Sequence, residues 1–262
     1  MLFNFMSTTI SSIYFSPVKS ISFQRISKCQ IKKNVGIVND RLYAFSRLLD
    51  CKKVFPMEQE PDQRKLNFFL TLRNTPSLNK YSFKYKESKL ELFLDKKKLI
   101  SINPNNPIEV NLLENEIMKL EKSVKGPVFL LKNDKNPFFD TSSGGEVSNS
   151  ISLINLNSIK DFEKKLGKKI EYERFRGNFY VDGLPAWKER KLVGKNILIN
   201  NILFKVDDNI QRCSVINLKP KKEYRFLNLP QMLKEFYNHI EFGVYIFPMQ
   251  DGEVCDGDVI TY

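Results

Sequence analysis

Short runs of hydrophobic residues separated by polar turns fill the first third of the chain. Residues 13–15, 42–45 and 68–72 are β-branched or aromatic runs, and residues 81–85 alternate between apolar and polar side chains. Alternation with period two is typical of a half-buried strand, and short apolar runs bounded by turns are typical of buried strands. The pattern predicts a strand-rich first third.

Helical periodicity appears in three places. Apolar residues spaced by three and four predict a helix over residues 112–125, ended by Gly126 and Pro127. A second helix is expected from about Asn157, a favourable N-cap, to Gly167, and a short third helix follows Pro230.

Strand patterns return in the second half of the chain. Residues 197–199 and 202–204 flank Asn200-Asn201, which predicts a tight hairpin because Asn tolerates positive φ. Further strands are expected over residues 128–131, 202–210, 214–218, 242–247 and 259–262. With no P-loop and no G-x-G-x-x-G motif, the pattern favours a mainly β (α+β) protein, a β-barrel-like core with few short helices at its margins.

The composition indicates a folded, basic protein. Of 262 residues, 42% are hydrophobic, far above the content of disordered chains. The 42 Lys and Arg exceed the 30 Asp and Glu and give a formal net charge of +12, which favours an anionic partner. Nucleic acid, an acidic membrane surface and a phosphorylated small ligand all fit that charge.

The four cysteines are Cys29, Cys51, Cys213 and Cys255, and none forms a C-x-x-C pair. This spacing argues against a disulfide framework, a zinc finger and an iron–sulfur cluster. No stretch approaches the ~20 apolar residues of a membrane span. A soluble, cytoplasmic protein is the expectation.

Several polar residues have types suited to chemistry. Arg212-Cys213 places a guanidinium beside a thiol, which favours the thiolate that a soft metal or sulfur transfer requires, although a strand cysteine is commonly a small buried hydrophobe. Arg176 and Asn178 stand at alternate positions of an expected strand, where they can face one anionic ligand or lie in a surface hairpin. The lone His239 is interpreted as structural or as a supporting group.

Two other segments have both a binding interpretation and a simpler one. Lys19 and Ser20 follow the first strand and suit phosphate capture or an ordinary charged turn. The aromatic residues 175, 179 and 180 are candidates for RNA stacking, but their spacing more naturally forms a core face.

Taken in order, these segments resemble the MOSC (molybdenum cofactor sulfurase C-terminal) family, preceded by its N-terminal β-barrel domain, as in the mitochondrial amidoxime-reducing component and its bacterial counterparts. The segments that carry the resemblance are 13–20, Asp40-Arg41, 70–73, 175–178, 183–187, Arg212-Cys213, and 243–245 leading to Gly257-Asp258. The resemblance covers nearly the whole chain and implies an N-terminal domain over residues 8–110 and a MOSC domain over residues 125–262.

The resemblance also implies a site for the molybdenum cofactor (Mo-molybdopterin). In the family the cysteine of the Arg-Cys pair ligates molybdenum, which implies Cys213 as the metal ligand and catalytic residue. The residues implied to bind the pterin and its phosphate are Lys19, Ser20, Arg41, Thr141, Ser142, Arg176, Asn178 and Arg212. This chain differs from its relatives at Gly177, where they commonly have Pro, and at Lys219-Pro220, where they have an acidic Asp-Pro turn.

The activity implied is reduction of small N-hydroxylated compounds. Because no cluster-forming cysteines are present, the electrons are expected from an external donor protein, and nucleic acid is not the expected partner. Two alternatives stay open: a sulfur carrier with a persulfide on Cys213, as MOSC domains attached to pyridoxal-phosphate desulfurases suggest, and a basic RNA-binding module, which would show a strong salt dependence.

Overall fold

A computed structural model describes residues 7–47, 51–124, 126–139 and 149–262 of the chain. Within these residues the protein is mostly sheet with four α-helices, which confirms the mainly β (α+β) expectation. No helix in the described ranges is both long and apolar enough to cross a membrane.

The largest sheet has eight strands, drawn from both ends of the chain. They are β1 (Thr9–Phe15), β2 (Gln24–Ile26), β10 (Ile151–Asn155), β11 (Phe179–Asp182), β12 (Asn196–Ile199), β13 (Ile202–Gln211), β14 (Glu241–Pro248) and β16 (Ile260–Thr261). Their spatial order is β16-β12-β13-β14-β10-β11-β1-β2, and the pairings are antiparallel except for the parallel pair β10–β11.

This sheet curls until its far edge meets β1. Ile10 N donates to Asp258 O at 2.9 Å and Ile260 N donates to Thr8 O at 2.8 Å, beside an isolated bridge between Thr9 and Val259. The contact does not extend into a paired ladder, so the expected barrel is not a continuously closed one.

Three smaller sheets complete the strands. The second sheet pairs β3 (Lys28–Lys32) with β4 (Gly36–Ile37) and β15 (Gly252–Cys255). The third pairs β5 (Tyr43–Ser46) with β9 (Phe129–Lys132), and the fourth is a meander of β6 (Tyr81–Lys86), β7 (Lys89–Leu94) and β8 (Lys97–Ile102).

The helices lie at the margins of the sheets: α1 (Val54–Gln59), α2 (Pro107–Leu120), α3 (Leu156–Leu166) and α4 (Leu229–Tyr237). The predicted helix at 112–125 begins five residues earlier, because Asn106 caps it and Pro107 occupies its first turn. The second helix is confirmed and ends at Gly167 as a left-handed C-cap, but its N-cap is Asn155 and not the predicted Asn157, which lies in its first turn. The third helix is confirmed as α4.

The tertiary structure overturns the strand predictions at residues 68–72 and 214–218. Residues 66–68 form a 3-10 helix and residues 69–72 lie outside the strands, although Phe69, Leu70 and Leu72 are buried. The residues after Cys213 form a 3-10 helix, Ser214–Asn217, where a strand was expected. Short apolar runs satisfy burial in either backbone conformation, so their periodicity does not distinguish the two.

The two largest of four apolar clusters among the described residues form the main core. One fills the curled sheet with side chains such as Ile13, Phe179 and Phe204, and the other packs α2 and the β6–β8 meander against Val18 and Leu218. Strands β1 to β4 pair with segments beyond residue 149 or with each other, and β5 pairs with β9. The predicted division into two domains, residues 8–110 and residues 125–262, therefore stays a prediction. Strands from the first range pair with strands from the second.

Gly243 lies in β14 with φ +77°, and a Cβ there would stand 2.5 Å from both Leu153 O and Ile154 Cδ1. Replacement by Ala adds a steric clash with the neighbouring strand to the cost of a left-handed backbone, which for an L-residue is about 1–2 kcal/mol. Gly194→Ala is the matched control, because Gly194 has φ +81° and a Cβ added there would have no atom within 4 Å.

We expect Gly243→Ala to lower the free energy of unfolding by about 2 kcal/mol more than Gly194→Ala does, measured by urea denaturation. Equal losses in the two variants would show that β14 relaxes freely at this position.

Candidate functional site

The site is built around a buried ion pair between Asp40 and Arg41, in the turn that follows β4. Their side chains are 7% and 4% exposed, and the carboxylate accepts a hydrogen bond from the guanidinium. Ser16 N donates to Asp40 Oδ1 at 2.9 Å, and Asn178 Nδ2 donates to Asp40 Oδ2 at 3.0 Å. Burial raises the pKa of Asp40, and the positive charge of Arg41 opposes that shift. Ser16 N, Asn178 Nδ2 and the Arg41 guanidinium all donate hydrogen bonds to the carboxyl group, which favours its ionised form.

Asn178, at the start of β11, is fully buried and bonded through both ends of its amide. Its Nδ2 also donates to Tyr14 O at 3.1 Å, and its Oδ1 accepts from Ser152 Oγ at 2.8 Å and from Arg41 at 3.4 Å. The amide therefore positions the ion pair between β1 and β10, and its hydrogen-bonding groups are engaged by the protein.

The Arg41 guanidinium lies between aromatic rings. Its Cζ stands 4.6 Å from the centroid of Phe23 and 4.2 Å from that of Phe139, and Arg176 Cζ also lies 4.6 Å from Phe23. Phe23 thus brings two guanidinium groups together through cation–π contacts. Among the described atoms, Arg41 Nε is buried and has no hydrogen-bond partner.

The structure corrects the predicted environment of Arg176. Residues 172–175 form a 3-10 helix, and Arg176 follows it in a left-handed turn with φ 50°, so Arg176 and Asn178 do not alternate along a strand. Its side chain donates to Ile21 O at 3.0 Å. Phe175 and Phe179 are completely buried, which confirms the core interpretation and leaves these rings unavailable for stacking on RNA.

Lys19 and Ser20 lie in the turn after β1, as predicted. Both are buried, and Ser20 has φ 60°. Lys19 Nζ donates to Phe139 O at 2.8 Å and lies 5.8 Å from the ring of Phe69. The ammonium is therefore fixed against the backbone that precedes residue 140. The predicted residues Thr141 and Ser142 lie outside the described residues.

Cys213 lies two residues beyond the end of β13 and is exposed, unlike the buried Cys29. It precedes the 3-10 helix Ser214–Asn217, so the thiol stands at a chain turn and not within a strand. Within the described residues, no group of three or more His, Cys, Asp or Glu could hold a metal ion.

Arg212 fixes the backbone that leads to Cys213. Its Nε and Nη2 donate to Phe242 O at 2.8 and 2.5 Å, and Nη1 donates to Phe175 O at 2.8 Å. Burial lowers the pKa of this guanidinium. Arg212 thereby links the chain before Cys213 to Phe175, which precedes Arg176. The ring centroids of Tyr245 and Phe139 lie 5.8 Å apart.

These contacts bring most of the predicted residues into one neighbourhood. Arg41, Asn178 and Arg176 share hydrogen bonds or the Phe23 ring, Lys19 joins them through Phe139, and Arg212 joins through Phe175. His239 instead contacts the rings of Trp187 and Tyr237, and burial lowers its pKa.

Sequence reasoning missed residues that organise the site. Asp40 stood beside Arg41 in the motif but received no role, although a buried cation needs an anionic partner. Tyr245 lay in the segment 243–245 of the resemblance without a role, and Ser152 gave no signal of its own. Phe23 gave none either, because a chain with 21 Phe does not distinguish a site aromatic from a core aromatic.

Comparison with protein families matches the MOSC domain model to residues 140–261. Among solved structures, the YuaD protein of Bacillus subtilis is similar at a TM-score of 0.43 and 13% identity, covering 97% of this chain and 94% of that chain. YiiM of Geobacillus stearothermophilus is similar at a TM-score of 0.34 and 18% identity, covering 42% of this chain and 52% of that chain. No curated protein sequence matches the chain.

The fold is that of a mainly β protein, and the MOSC domain model matches its second half. The matched residues, 140–261, include Arg176, Asn178, Arg212 and Cys213. Lys19 and Arg41 come from the preceding part of the chain and complete the same neighbourhood.

Arg212→Met should destabilise the protein by about 3 kcal/mol, because two buried carbonyls lose charge-assisted hydrogen bonds while the apolar volume is kept. Arg25→Met is the control, since Arg25 is 56% exposed and its ion pair with Asp256 is a surface contact of at most about 1 kcal/mol. Urea denaturation measures both. A loss for Arg212→Met no larger than that of the control would show that water replaces the guanidinium.

Proposed function

We propose that this MOSC domain binds the molybdenum cofactor, with Cys213 as the protein ligand of the metal. MOSC domains bind this cofactor in related proteins, and Cys213 supplies an exposed thiol next to a buried guanidinium. A single thiolate and the sulfur atoms of a pterin dithiolene suit a soft, high-valent metal.

The observation that carries the proposal is the unpartnered Nε of Arg41. Leaving a buried donor unsatisfied costs about 1–3 kcal/mol, and a ligand oxygen atom bound at Arg41 would relieve that cost. Arg41 and Arg176 would bind anionic or carbonyl oxygen atoms of the pterin, and Lys19 and Ser20 would bind its phosphate. Asn178 and Arg212, whose hydrogen bonds are directed to the protein, would position these groups.

The activity we propose is reduction of N-hydroxylated compounds. When bound, the molybdenum cofactor supplies the two-electron redox chemistry. The N–O bond of the substrate breaks, two electrons come from an external donor protein and two protons from solvent, and the products are the reduced nitrogen compound and water. Cys213 would hold the metal, while the cations around Phe23 would hold the pterin in a fixed orientation.

Metal analysis tests the cofactor proposal. Protein purified from a cofactor-competent host should contain close to one molybdenum per chain, and Cys213→Ala and Cys213→Ser should lose most of it because the thiolate ligand is gone. Cys255→Ser serves as the control, since Cys255 is a partly buried cysteine of β15 and should retain the metal.

The pterin content, measured after oxidation to a fluorescent product, provides a second readout. Equal molybdenum in the wild type and both Cys213 variants, or none in the wild type, would overturn the proposal.

A second candidate function is sulfur transfer through a persulfide on Cys213. The exposure of Cys213 favours it, because a partner desulfurase can reach the thiol directly. After incubation with a cysteine desulfurase and its substrate, mass spectrometry should find a gain of one sulfur atom on Cys213 and none on Cys29, which is buried. Absence of that gain would count against this function and leave the cofactor proposal standing.

A further inference from the structure

Residues 219–226, here called the aromatic–basic loop, lead from the segment that carries Cys213 towards α4, and residues 221–226 are all exposed. Tyr224 is 46% exposed and Phe226 is 64% exposed, and their rings pack edge to face with centroids 4.5 Å apart. The two rings therefore form a small continuous apolar patch at the surface. Aromatic residues are enriched where proteins bind partner proteins.

Positive charge surrounds this apolar patch. Lys221, Lys222 and Arg225 are exposed, and none of the three forms an ion pair within the part of the chain that the structure describes. The acidic residue of the loop, Glu223, lies 3.9 Å from Lys80 Nζ, which offsets its charge. The loop thus combines uncompensated cations with an apolar centre, and its electrostatic complement is an acidic protein surface.

Contacts with the rest of the chain hold the aromatic–basic loop in one conformation. Asn79 Nδ2 donates to Lys219 O at 2.8 Å and to Lys222 O at 2.7 Å, and an isolated β-bridge pairs Leu218 with Arg225. A surface that is already ordered loses little conformational entropy when a partner binds.

The loop also lies close to the thiol that we propose as the metal ligand. Cys213 is exposed, and the 3-10 helix Ser214–Asn217 connects it to the loop. Pro220 and Lys221 share the wall of one cavity with Val215, which follows Cys213 by two residues. Because electron transfer between proteins slows steeply with distance, a carrier must dock close to the metal, and the loop satisfies that requirement.

We propose that the aromatic–basic loop is the docking surface for a small acidic protein that carries one electron at a time. This inference rests on the proposed reductase function. Reduction of one N–O bond consumes two electrons, so two reduced carriers dock in turn and each leaves oxidised by one electron, while the two protons come from solvent. The cations of the loop would pair with carboxylates of the carrier, and Tyr224 and Phe226 would contact apolar surface around its cofactor. Electron-transfer encounters use small interfaces, which fits a surface of this size.

Calorimetry at low ionic strength with two acidic carriers, a flavodoxin and a [2Fe–2S] ferredoxin, both oxidised, tests the docking surface. At least one should bind wild-type protein, with an affinity that falls as salt screens the charges. The double variant Lys221→Glu/Lys222→Glu should weaken that binding on the order of tenfold. The matched control is Lys32→Glu/Lys33→Glu, two exposed neighbours at the end of β3, which should change the affinity less than about twofold. Binding of neither carrier, or equal losses in the two double variants, would overturn the inference.

The aromatic part of the surface is tested by Phe226→Ser, which should weaken carrier binding about fivefold because it removes the apolar centre of the contact. Phe55→Ser is the matched control, since Phe55 lies in α1 and is 67% exposed, against 64% for Phe226. The control should leave carrier binding unchanged. An unchanged affinity in Phe226→Ser would show that the ring takes no part in docking and would count against the proposed surface.

Reduction of benzamidoxime with dithionite, a small reductant that needs no docking surface, separates this inference from the function on which it rests. Lys221→Glu/Lys222→Glu should keep the dithionite-driven rate and lose on the order of tenfold in kcat/KM for the reduced carrier. If the wild type reduces nothing but binds a carrier through Lys221, Lys222 and Phe226, the reductase proposal fails and the docking surface stands. If dithionite drives the reaction and no carrier binds, the docking inference fails alone.

Two other partners would use similar residues, and both are outcomes of the same experiment. Single-stranded RNA and vesicles of phosphatidylcholine and phosphatidylserine are titrated against the same variants. We expect neither to depend on the aromatic–basic loop more than on the control positions. If Lys221→Glu/Lys222→Glu and Phe226→Ser abolish binding of RNA or of vesicles but leave carrier binding unchanged, the loop serves that partner and the inference is overturned.

Discussion

A buried ion pair between neighbours in the chain, Asp40 and Arg41, determines how the candidate site is assembled. The Asp40 carboxylate accepts hydrogen bonds from Ser16, just after β1, and from Asn178, just before β11. The Arg41 guanidinium contacts the ring of Phe139, which precedes the residues matched by the MOSC model. Removing one member of such a pair leaves an uncompensated buried charge, at a cost of about 3–5 kcal/mol. The first and second halves of the chain therefore share one electrostatic centre.

The cations that surround this centre owe their positions to turns. Ser20, which follows Lys19, and Arg41 have positive φ in turns, and Arg176 has positive φ as the C-cap of a 3-10 helix. Left-handed backbone costs an L-residue about 1–2 kcal/mol, so the surrounding contacts must stabilise it. The aromatic ring of Phe23 provides one of these contacts for both guanidinium groups.

The thiol and the cations are held by different means. Arg212 fixes the chain before Cys213 with three hydrogen bonds to backbone carbonyls, whereas Arg41 keeps one buried donor without a protein partner. The first arrangement is complete within the protein, whereas the second leaves one buried donor unsatisfied among the described residues. This difference separates the residues that would position the site from those that would contact its ligand.

The sequence by itself determined the mainly β class, the helices that became α3 and α4, the hairpin at Asn200-Asn201 and the MOSC resemblance that singled out Cys213. Both hairpin residues have positive φ, as their side chains predicted. These features depend on local periodicity, caps and turns, which are written in adjacent residues.

Only the tertiary structure decided the strand exchange across the halves, the 3-10 helices on either side of the site and the role of Asp40. The runs at 68–72 and 214–218 satisfy burial as strands or as turns, and which form they take depends on partners far away in the chain. The pairing of Arg41 with Asn178, 137 residues apart, depends likewise on the whole fold. No local pattern encodes it.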